Sequence, residues 1–179
     1  MIIDISKLSI GLHELDFEET AEELNIEDIN LFPNPIFSHV DVDKSETHIY
    51  IKAAVKSKLH FSCDRCLEEF EQELSGDLKL YFEVVSQGGL GHLVDENGNQ
   101  DDSVRVFRSD KKVIDLTPDI RDTLLLAVPL KTICSEDCKG ICPGCGMDLN
   151  NSFCSCKNEE IDPRWEGLKK LLDQEKNEN

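Results

Sequence analysis

Thr47-His48-Ile49-Tyr50-Ile51-Lys52-Ala53-Ala54-Val55-Lys56-Ser57-Lys58-Leu59-His60-Phe61-Ser62-Cys63 alternates apolar and polar side chains almost throughout. Ile49, Ile51, Ala53, Val55, Leu59 and Phe61 hold one parity; His48, Tyr50, Lys52, Lys56, Lys58 and His60 hold the other. Successive side chains of a strand point to opposite faces, so alternation this long specifies a long strand, or two joined by a bend, with one buried face. Phe70, Leu74, Leu78, Leu80, Phe82 and Val84 repeat the pattern, with Glu69, Glu71, Glu73, Asp77 and Glu83 outward. Gly76 inside it predicts a bulge or bend. Cys63-Asp64-Arg65-Cys66 lies between the two runs, which therefore read as an antiparallel hairpin with a thiol pair at its tip. Basic outward residues of the first run would face acidic ones of the second, and such cross-strand pairs are worth about 0.2–1 kcal/mol each.

Working outward, residues 36–43 form a shorter strand joined to the long one through Asp43-Lys44-Ser45-Glu46, which makes a three-strand meander. Toward the N-terminus, Ile2, Ile3, Ile5, Leu8 and Ile10 could begin a strand. Residues 14–29 read as a strand through Leu15 and Phe17 or as an acidic helix through Leu24; a strand followed by a short helix is the expectation. Residues 86–102 carry Gly88, Gly89, Gly91 and Gly98 without periodicity and predict a mobile loop. Asp115-Leu116-Thr117-Pro118-Asp119 then opens a helix, with Thr117 as N-cap, Pro118 in the first turn and Asp119 at the positive end of the dipole. Ile120, Leu124, Ala127 and Val128 are its apolar stripe and Pro129 ends it. Asp162-Pro163-Arg164-Trp165 repeats the start signal, with Trp165, Leu168, Leu171 and Leu172 as a docking face. The expected class is α+β: an antiparallel β-meander or partly closed sheet with a helix packed on it, and a C-terminal cysteine-rich zinc-binding lobe ending in a helix. Residues 1–85 are the β-rich half, 86–103 a flexible loop, and 104–179 the helix and lobe, one structural domain altogether.

The eight cysteines fall into four close pairs: Cys63/Cys66, Cys134/Cys138, Cys142/Cys145 and Cys154/Cys156. A tetrahedral zinc ion takes four thiolates, and a tight turn commonly supplies two of them. Cys142, Cys145, Cys154 and Cys156, spaced C-x₂-C-x₈-C-x-C, make one complete site. Cys63, Cys66, Cys134 and Cys138 would make a second, tying the hairpin tip to the segment after the helix. The alternative groups Cys134 and Cys138 with Cys142 and Cys145 and leaves Cys63 and Cys66 without metal. Two zinc ions in closed sites mean metal-stapled structure, not metal catalysis. A thioredoxin-like role for C-x-x-C would need it at the start of a helix in a βαβ unit, whereas Cys63 ends a long strand.

Lys and Arg total 19 against 37 Asp and Glu, a formal charge of −18. Two filled four-thiolate sites would lower it to about −22. Such a chain repels bulk phosphate and suits a basic protein partner. Two local exceptions stand out: Lys52, Lys56, Lys58 and Arg65 on or after the long strand, and Arg105, Arg108, Lys111 and Lys112. They could contact RNA or a partner, or balance neighbouring acids. His13, His39, His48, His60 and His92 follow no ligand spacing, and no carboxylate pair, phosphate loop or nucleophile motif is present, so no enzyme is expected. Met1-Ile2-Ile3-Asp4 lacks a basic region before an apolar one, and the longest apolar run, 124–128, is too short to span a bilayer. A cytoplasmic location without membrane or small-molecule substrate is the expectation, and reduced thiols there favour metal over disulfides.

The motifs Cys63-Asp64-Arg65-Cys66-Leu67-Glu68-Glu69-Phe70, Asp115-Leu116-Thr117-Pro118-Asp119-Ile120, Cys138-Lys139-Gly140-Ile141-Cys142-Pro143-Gly144-Cys145-Gly146-Met147-Asp148-Leu149-Asn150, Cys154-Ser155-Cys156 and Asp162-Pro163-Arg164-Trp165 together resemble the bacterial and plastid YceD-like family. Its members are described as large ribosomal RNA subunit accumulation proteins. The resemblance runs from about residue 36 to 172, the first 35 residues matching loosely. It implies a role in 23S ribosomal RNA processing or accumulation, hence in large-subunit assembly. The partner it implies is a large-subunit ribosomal protein or processing factor, or the RNA itself. Some members keep the first C-x-R-C and lose the later cysteines, so the later site is not essential to the shared role. No catalytic residue carries over. Two other classes stay open: a direct RNA-binding zinc module, and a zinc- or redox-sensing regulator.

Overall fold

A computed structural model describes residues 1–86 and 104–156. They fall into two compact units that do not follow chain order. The first holds Met1–Ser62 and Glu69–Thr132; the second holds Cys63–Glu68 and the chain from Ile133 onward.

The first unit is mostly sheet with one helix. Its strands are β1 (Ile2–Asp4), β2 (Gly11–Glu19), β3 (Ile36–Lys44), β4 (His48–Ser62), β5 (Glu69–Val85), β6 (Val104–Arg108) and β7 (Val113–Asp115), followed by helix α1 (Thr117–Ala127). β1 and β7 pair antiparallel, and the main sheet runs β2-β3-β4-β5-β6. The expected meander is there, extended by β2: each of β2 to β5 pairs antiparallel with the next. The partly closed sheet is not. The main sheet is open, with β2 and β6 at its two edges, and mixed, because β6 runs parallel to β5. A parallel neighbour cannot be reached by a tight turn; it needs a connection of about a dozen residues or more, and residues 86–103 supply that length.

β4 buries every odd position from Ile49 to Phe61, including Ser57, and leaves the even positions partly or fully exposed. Ser57 is tolerated there because its Oγ donates to the Pro35 carbonyl at 3.3 Å. Leu124, Ile120, Ile51, Val40 and Leu24 belong to one core. Fully burying a side chain of this size is worth about 1.5–3 kcal/mol, so α1 is held by its Ile120 and Leu124 stripe and not by propensity.

Gly76 is neither bulge nor bend. The β4–β5 register runs unbroken through Val55 opposite Gly76. A Cβ at Gly76 would instead lie 2.7 Å from Cγ2 of Thr123, so the glycine is where α1 settles onto the sheet. Residues 20–26 form hydrogen-bonded turns, not the expected short helix: Leu24 N reaches Thr20 O at 3.2 Å and Ile26 N reaches Ala21 O at 2.8 Å. Asn25, at φ +56, takes the left-handed conformation that stops propagation. At α1, Thr117 is helical and its backbone N–H is capped from outside by Asp115 Oδ1 at 2.9 Å. The loop expected over 86–103 lies outside the described residues apart from Ser86. The helix expected around Trp165, Leu168, Leu171 and Leu172 also lies outside them. Among the described residues no helix is long and apolar enough to cross a membrane.

On the outward face, His39 Nδ1 lies 2.7 Å from Asp16 Oδ1 and Nε2 lies 3.5 Å from Asp41. The Asp16 hydrogen bond raises the His39 pKa, against a smaller opposing desolvation. A pKa raised on folding contributes stability that is full below the unfolded value of about 6.5 and is lost as pH rises through the folded value. The His39 midpoint, followed by proton NMR, should lie above that of an unstructured histidine and return toward it in Asp16→Asn. An unchanged midpoint in the variant would remove Asp16 as the cause.

Candidate metal centres

The second unit is organised by sulfur. Cys63, Cys66, Cys134 and Cys138 place their Sγ atoms within 4.8 Å of one another, and so do Cys142, Cys145, Cys154 and Cys156. All eight are free thiols. The structure thus gathers the cysteines in the two expected sets of four and not in the alternative grouping. Sγ–Sγ separations are 3.8 Å for Cys63/Cys138, 3.6 Å for Cys66/Cys134, 3.4 Å for Cys145/Cys154 and 3.3 Å for Cys142/Cys154. Zinc–sulfur bonds of about 2.3 Å in a tetrahedron give an edge of about 3.8 Å, so the cages have the size a four-thiolate metal site needs.

Both C-x-x-C turns are closed in the same way. Cys63 N donates to Glu68 O and Leu67 N to Cys63 O, each at 2.9 Å; Cys142 N donates to Met147 O and Gly146 N to Cys142 O, each at 2.8 Å. The fifth residue of each turn is left-handed: Leu67 at φ +63 and Gly146 at φ +74. Glycine takes this conformation freely, while a leucine there is strained by about 1–2 kcal/mol. Leu67 is 65% exposed and has little packing to lose. Leu67→Gly should therefore stabilise the second unit by about 1 kcal/mol and raise its denaturation midpoint, and Gly146→Ala should destabilise it by about as much. Equal midpoints for Leu67→Gly and the parent protein would show that the turn bears no strain.

Amides aimed at sulfur prepare the turns for negative charge. Cys134 N lies 3.4 Å from Cys63 Sγ and Gly144 N lies 3.4 Å from Cys142 Sγ. Desolvation pushes the Cys63 thiol up, but amide donors from Cys134, Cys66 and Arg65 together outweigh it and bring it down to about 6. The amides of Cys145 and Gly144 hold Cys142 at about 7. For Cys66 the Glu68 amide lowers the pKa, yet desolvation and the Cys63, Cys138 and Cys134 sulfurs carry it up to about 12. Cys154 and Cys145 push Cys156 up to about 12. Each cage thus readily makes one thiolate, and a cation is what makes four compatible.

The two cages differ in exposure. Cys63, Cys66 and Cys138 are buried, with Cys134 half-buried, whereas Cys145 and Cys156 are exposed. Neither offers an open position for chemistry once four thiolates are bound.

Two residues matter here in ways the spacing did not reveal. Arg65, expected among the partner-contacting cations, donates from its Nη1 to the carbonyl oxygens of Cys138 at 2.8 Å and Glu136 at 3.2 Å. It belongs to the cysteine unit, and its charge is used to hold the 134–138 turn. Asn150 braces the Cys138 end of the first cage: Nδ2 reaches Cys138 Sγ at 3.5 Å and Asp148 Oδ1 at 2.8 Å, while Oδ1 accepts from Lys139 N at 2.8 Å. Its position within Cys145…Cys154 was the only available signal.

In the first unit, Lys52 and Lys56 are exposed, and Lys58 forms an ion pair with Glu71. Of the second basic cluster, Arg105 is bidentate to Asp119 at 2.6 and 2.8 Å, and Arg108 pairs with Asp110 at 3.2 Å. His60 is a partner of Glu69 at 3.3 Å, on the sheet surface as expected.

Residues 51–172 match the model of the family described as "Large ribosomal RNA subunit accumulation protein YceD", over more than half of the chain. The chain belongs to the YceD family. The YceD match spans both cysteine sets, most of β4, all of β5 and α1. Among curated relatives, the chain is 28% identical over 147 residues to the maize (Zea mays) protein named large ribosomal RNA subunit accumulation protein YCED homolog 1, chloroplastic. That alignment covers 71% of this chain and 50% of the maize protein. The Arabidopsis thaliana protein of the same name is 26% identical over 168 residues, covering 82% and 52%. The Bacillus subtilis protein YlbN, named as uncharacterized, is 26% identical over 166 residues, 89% of each chain. This YceD-family chain spans about half the length of the two plant relatives. No solved structure matches it.

Proposed function

We propose that this protein supports accumulation of 23S ribosomal RNA in large-subunit assembly as a non-enzymatic binding factor that holds a basic ribosomal protein or processing factor. The observation that carries the reading is the YceD-family match over residues 51–172. The plant relatives bear the name of large ribosomal RNA subunit accumulation proteins. The charge of −18 supports a basic partner, since a strongly acidic surface accelerates and selects encounters with cations. Each cysteine cage holds zinc, the metal that four thiolates in a tetrahedron favour. The ion supplies structure: it fixes the turns at Cys63–Glu68 and 134–156. Closed four-thiolate sites support a role without catalysis, and the cytoplasm, where bacterial ribosomes assemble, is its place of action.

Two measurements test the reading. Depletion of the protein should lower mature 23S RNA relative to small-subunit RNA. A tagged copy should recover large-subunit components from lysate at low salt and lose them as salt rises, because exposed charges are screened over about 10 Å at 0.1 M. Normal 23S levels after depletion, with no large-subunit component recovered, would overturn it.

A further inference from the structure

The register of the main sheet assembles a surface that cannot be seen along the chain. In a protein with 37 acidic residues, the outward positions of β4 carry no carboxylate. Lys79 of β5 lies directly opposite Lys52, and Tyr81 of β5 directly opposite Tyr50. On the other side, Phe37 of β3 lies directly opposite Lys56. Three aromatic rings and three lysines are thereby interleaved on one face.

His48 stacks on one face of Tyr81 with centroids 5.8 Å apart, and Lys52 Nζ lies 5.4 Å from the Tyr50 centroid, so a nucleobase would stack in place of these local contacts or on the remaining exposed surface. Phe37 is 52% and Tyr81 39% exposed, and Tyr50 is half-buried. Lys52, Lys56 and Lys79 are exposed, and none has an ion-pair partner among the described residues. Like charges directly opposite one another destabilise a strand pair, so Lys52 facing Lys79 is a cost to the fold that an anion would remove. Asp41, across from Lys52 on β3, lies 3.5 Å from His39 Nε2 and lines a cleft with Lys52, Tyr50 and Asp43, without forming an ion pair with the lysine. A cleft of about 430 Å³, lined by Phe37, Pro35 and Lys56 among others, opens at one end of the stripe. Ala54 lies between Lys52 and Lys56 on the same face, flanked in register by His39 of β3 and the exposed Asp77 of β5. From residue 50 to residue 56 the stripe runs about 20 Å, at about 3.3 Å per residue.

We propose that this stripe binds an unpaired segment of RNA, with bases stacking on Phe37, Tyr50 and Tyr81 and phosphates meeting Lys52, Lys56 and Lys79. Rings with adjacent cations on a sheet surface suit single strands, whose bases are free to stack. Charge complementarity limits the occupant to one backbone. Asp41 and Asp43 on the β3 side, facing Lys52 and Tyr50, and Asp77 on the β5 side, facing Ala54, border the stripe with carboxylates, which would repel a second strand. The inference goes beyond the protein-binding role proposed above and stands without it.

The test is fluorescence anisotropy with the full, metal-loaded chain and a short labelled unpaired RNA, against a duplex of the same length. Saturable binding is expected to the unpaired RNA, at least tenfold tighter than to the duplex. Three phosphate contacts at about 0.7 each give a log–log salt slope of about −2. Lys52→Ala with Lys79→Ala should weaken binding at least tenfold and reduce that slope by about 1.4. Tyr50→Ala and Tyr81→Ala should each cost about tenfold, within the range for one base stack, while Tyr50→Phe and Tyr81→Phe retain affinity. The lysine variants alter exposed side chains and relieve a like-charge pair, so they should melt at or slightly above the parent temperature, and a loss of binding in them is not a loss of fold. The proposal is overturned if the folded protein fails to bind unpaired RNA at low salt, binds duplex as tightly, or ignores these substitutions. It is equally overturned if an arginine-rich peptide, and not RNA, binds in a way that the same substitutions abolish.

Discussion

Purified protein should contain two zinc ions per chain, and Cys63→Ser and Cys145→Ser should each contain one. The two substitutions strike different cages, Cys63 with Cys66, Cys134 and Cys138, and Cys145 with Cys142, Cys154 and Cys156. Structural zinc is worth on the order of 10 kcal/mol or more in small domains. Among the described residues of the cysteine unit the buried side chains are chiefly the ligands themselves, so little apolar burial there stands in for the metal. Chelation should therefore collapse the amide resonances of residues 134–156 while those of β2 to β4 and α1 persist on their own core. The exposed Cys145 cage should empty before the buried Cys63 cage. Lower pH should speed both losses, because protons compete with metal for thiolate. A single zinc unaffected by Cys63→Ser would reject the first cage. Retention of dispersed resonances over 134–156 after complete metal removal would reject the structural role of both.

Gly76→Ala should destabilise the first unit by about 1–3 kcal/mol, the usual cost of forcing a methyl group into a filled contact. The added carbon would stand 2.7 Å from Thr123 Cγ2 and 3.4 Å from the Thr123 carbonyl oxygen. Thr123 cannot swing clear without breaking the bond from its Oγ1 to Asp119 O at 2.7 Å, and α1 is fixed by Ile120 and Leu124 beneath. Thr123→Ser removes the colliding methyl and keeps the hydroxyl, so it should restore most of the loss in the Gly76→Ala background. Thermal melting of the four proteins gives the coupling directly. Additive effects of the two substitutions would show that α1 does not approach the sheet at this point.

How much was legible depended on the range of the interaction. β3, β4 and β5 were readable because alternation is a local record of which side faces the core, written over 9, 15 and 17 residues. β6 and β7, of five and three residues, are too short for alternation to separate them from loop, and their partners lie in distant segments. A glycine at position 76 signals a bulge by any local rule, whereas its role is set by the helix overhead, which no local pattern records. The same holds for Arg65, whose charge is visible in the chain but whose partners are carbonyls 71 and 73 residues away. Leu67 carries a conformation that its own side chain disfavours, so its identity argued against the turn it occupies.

By itself the sequence determined the hydrophobic face of the central strands, the helix after Asp115 and the four cysteine pairs, all of which are set by spacing within a few residues. It also contained the motifs that place the chain in its family. The tertiary structure decided which cysteine pairs share a cage and that the sheet stays open with a parallel edge. It also decided which lysines are neutralised and which stand beside aromatic rings. Those outcomes depend on strand register and on contacts across about 70 residues of chain, as in Cys63 with Cys138. A one-residue slip would leave the composition unchanged and dissolve every one of them.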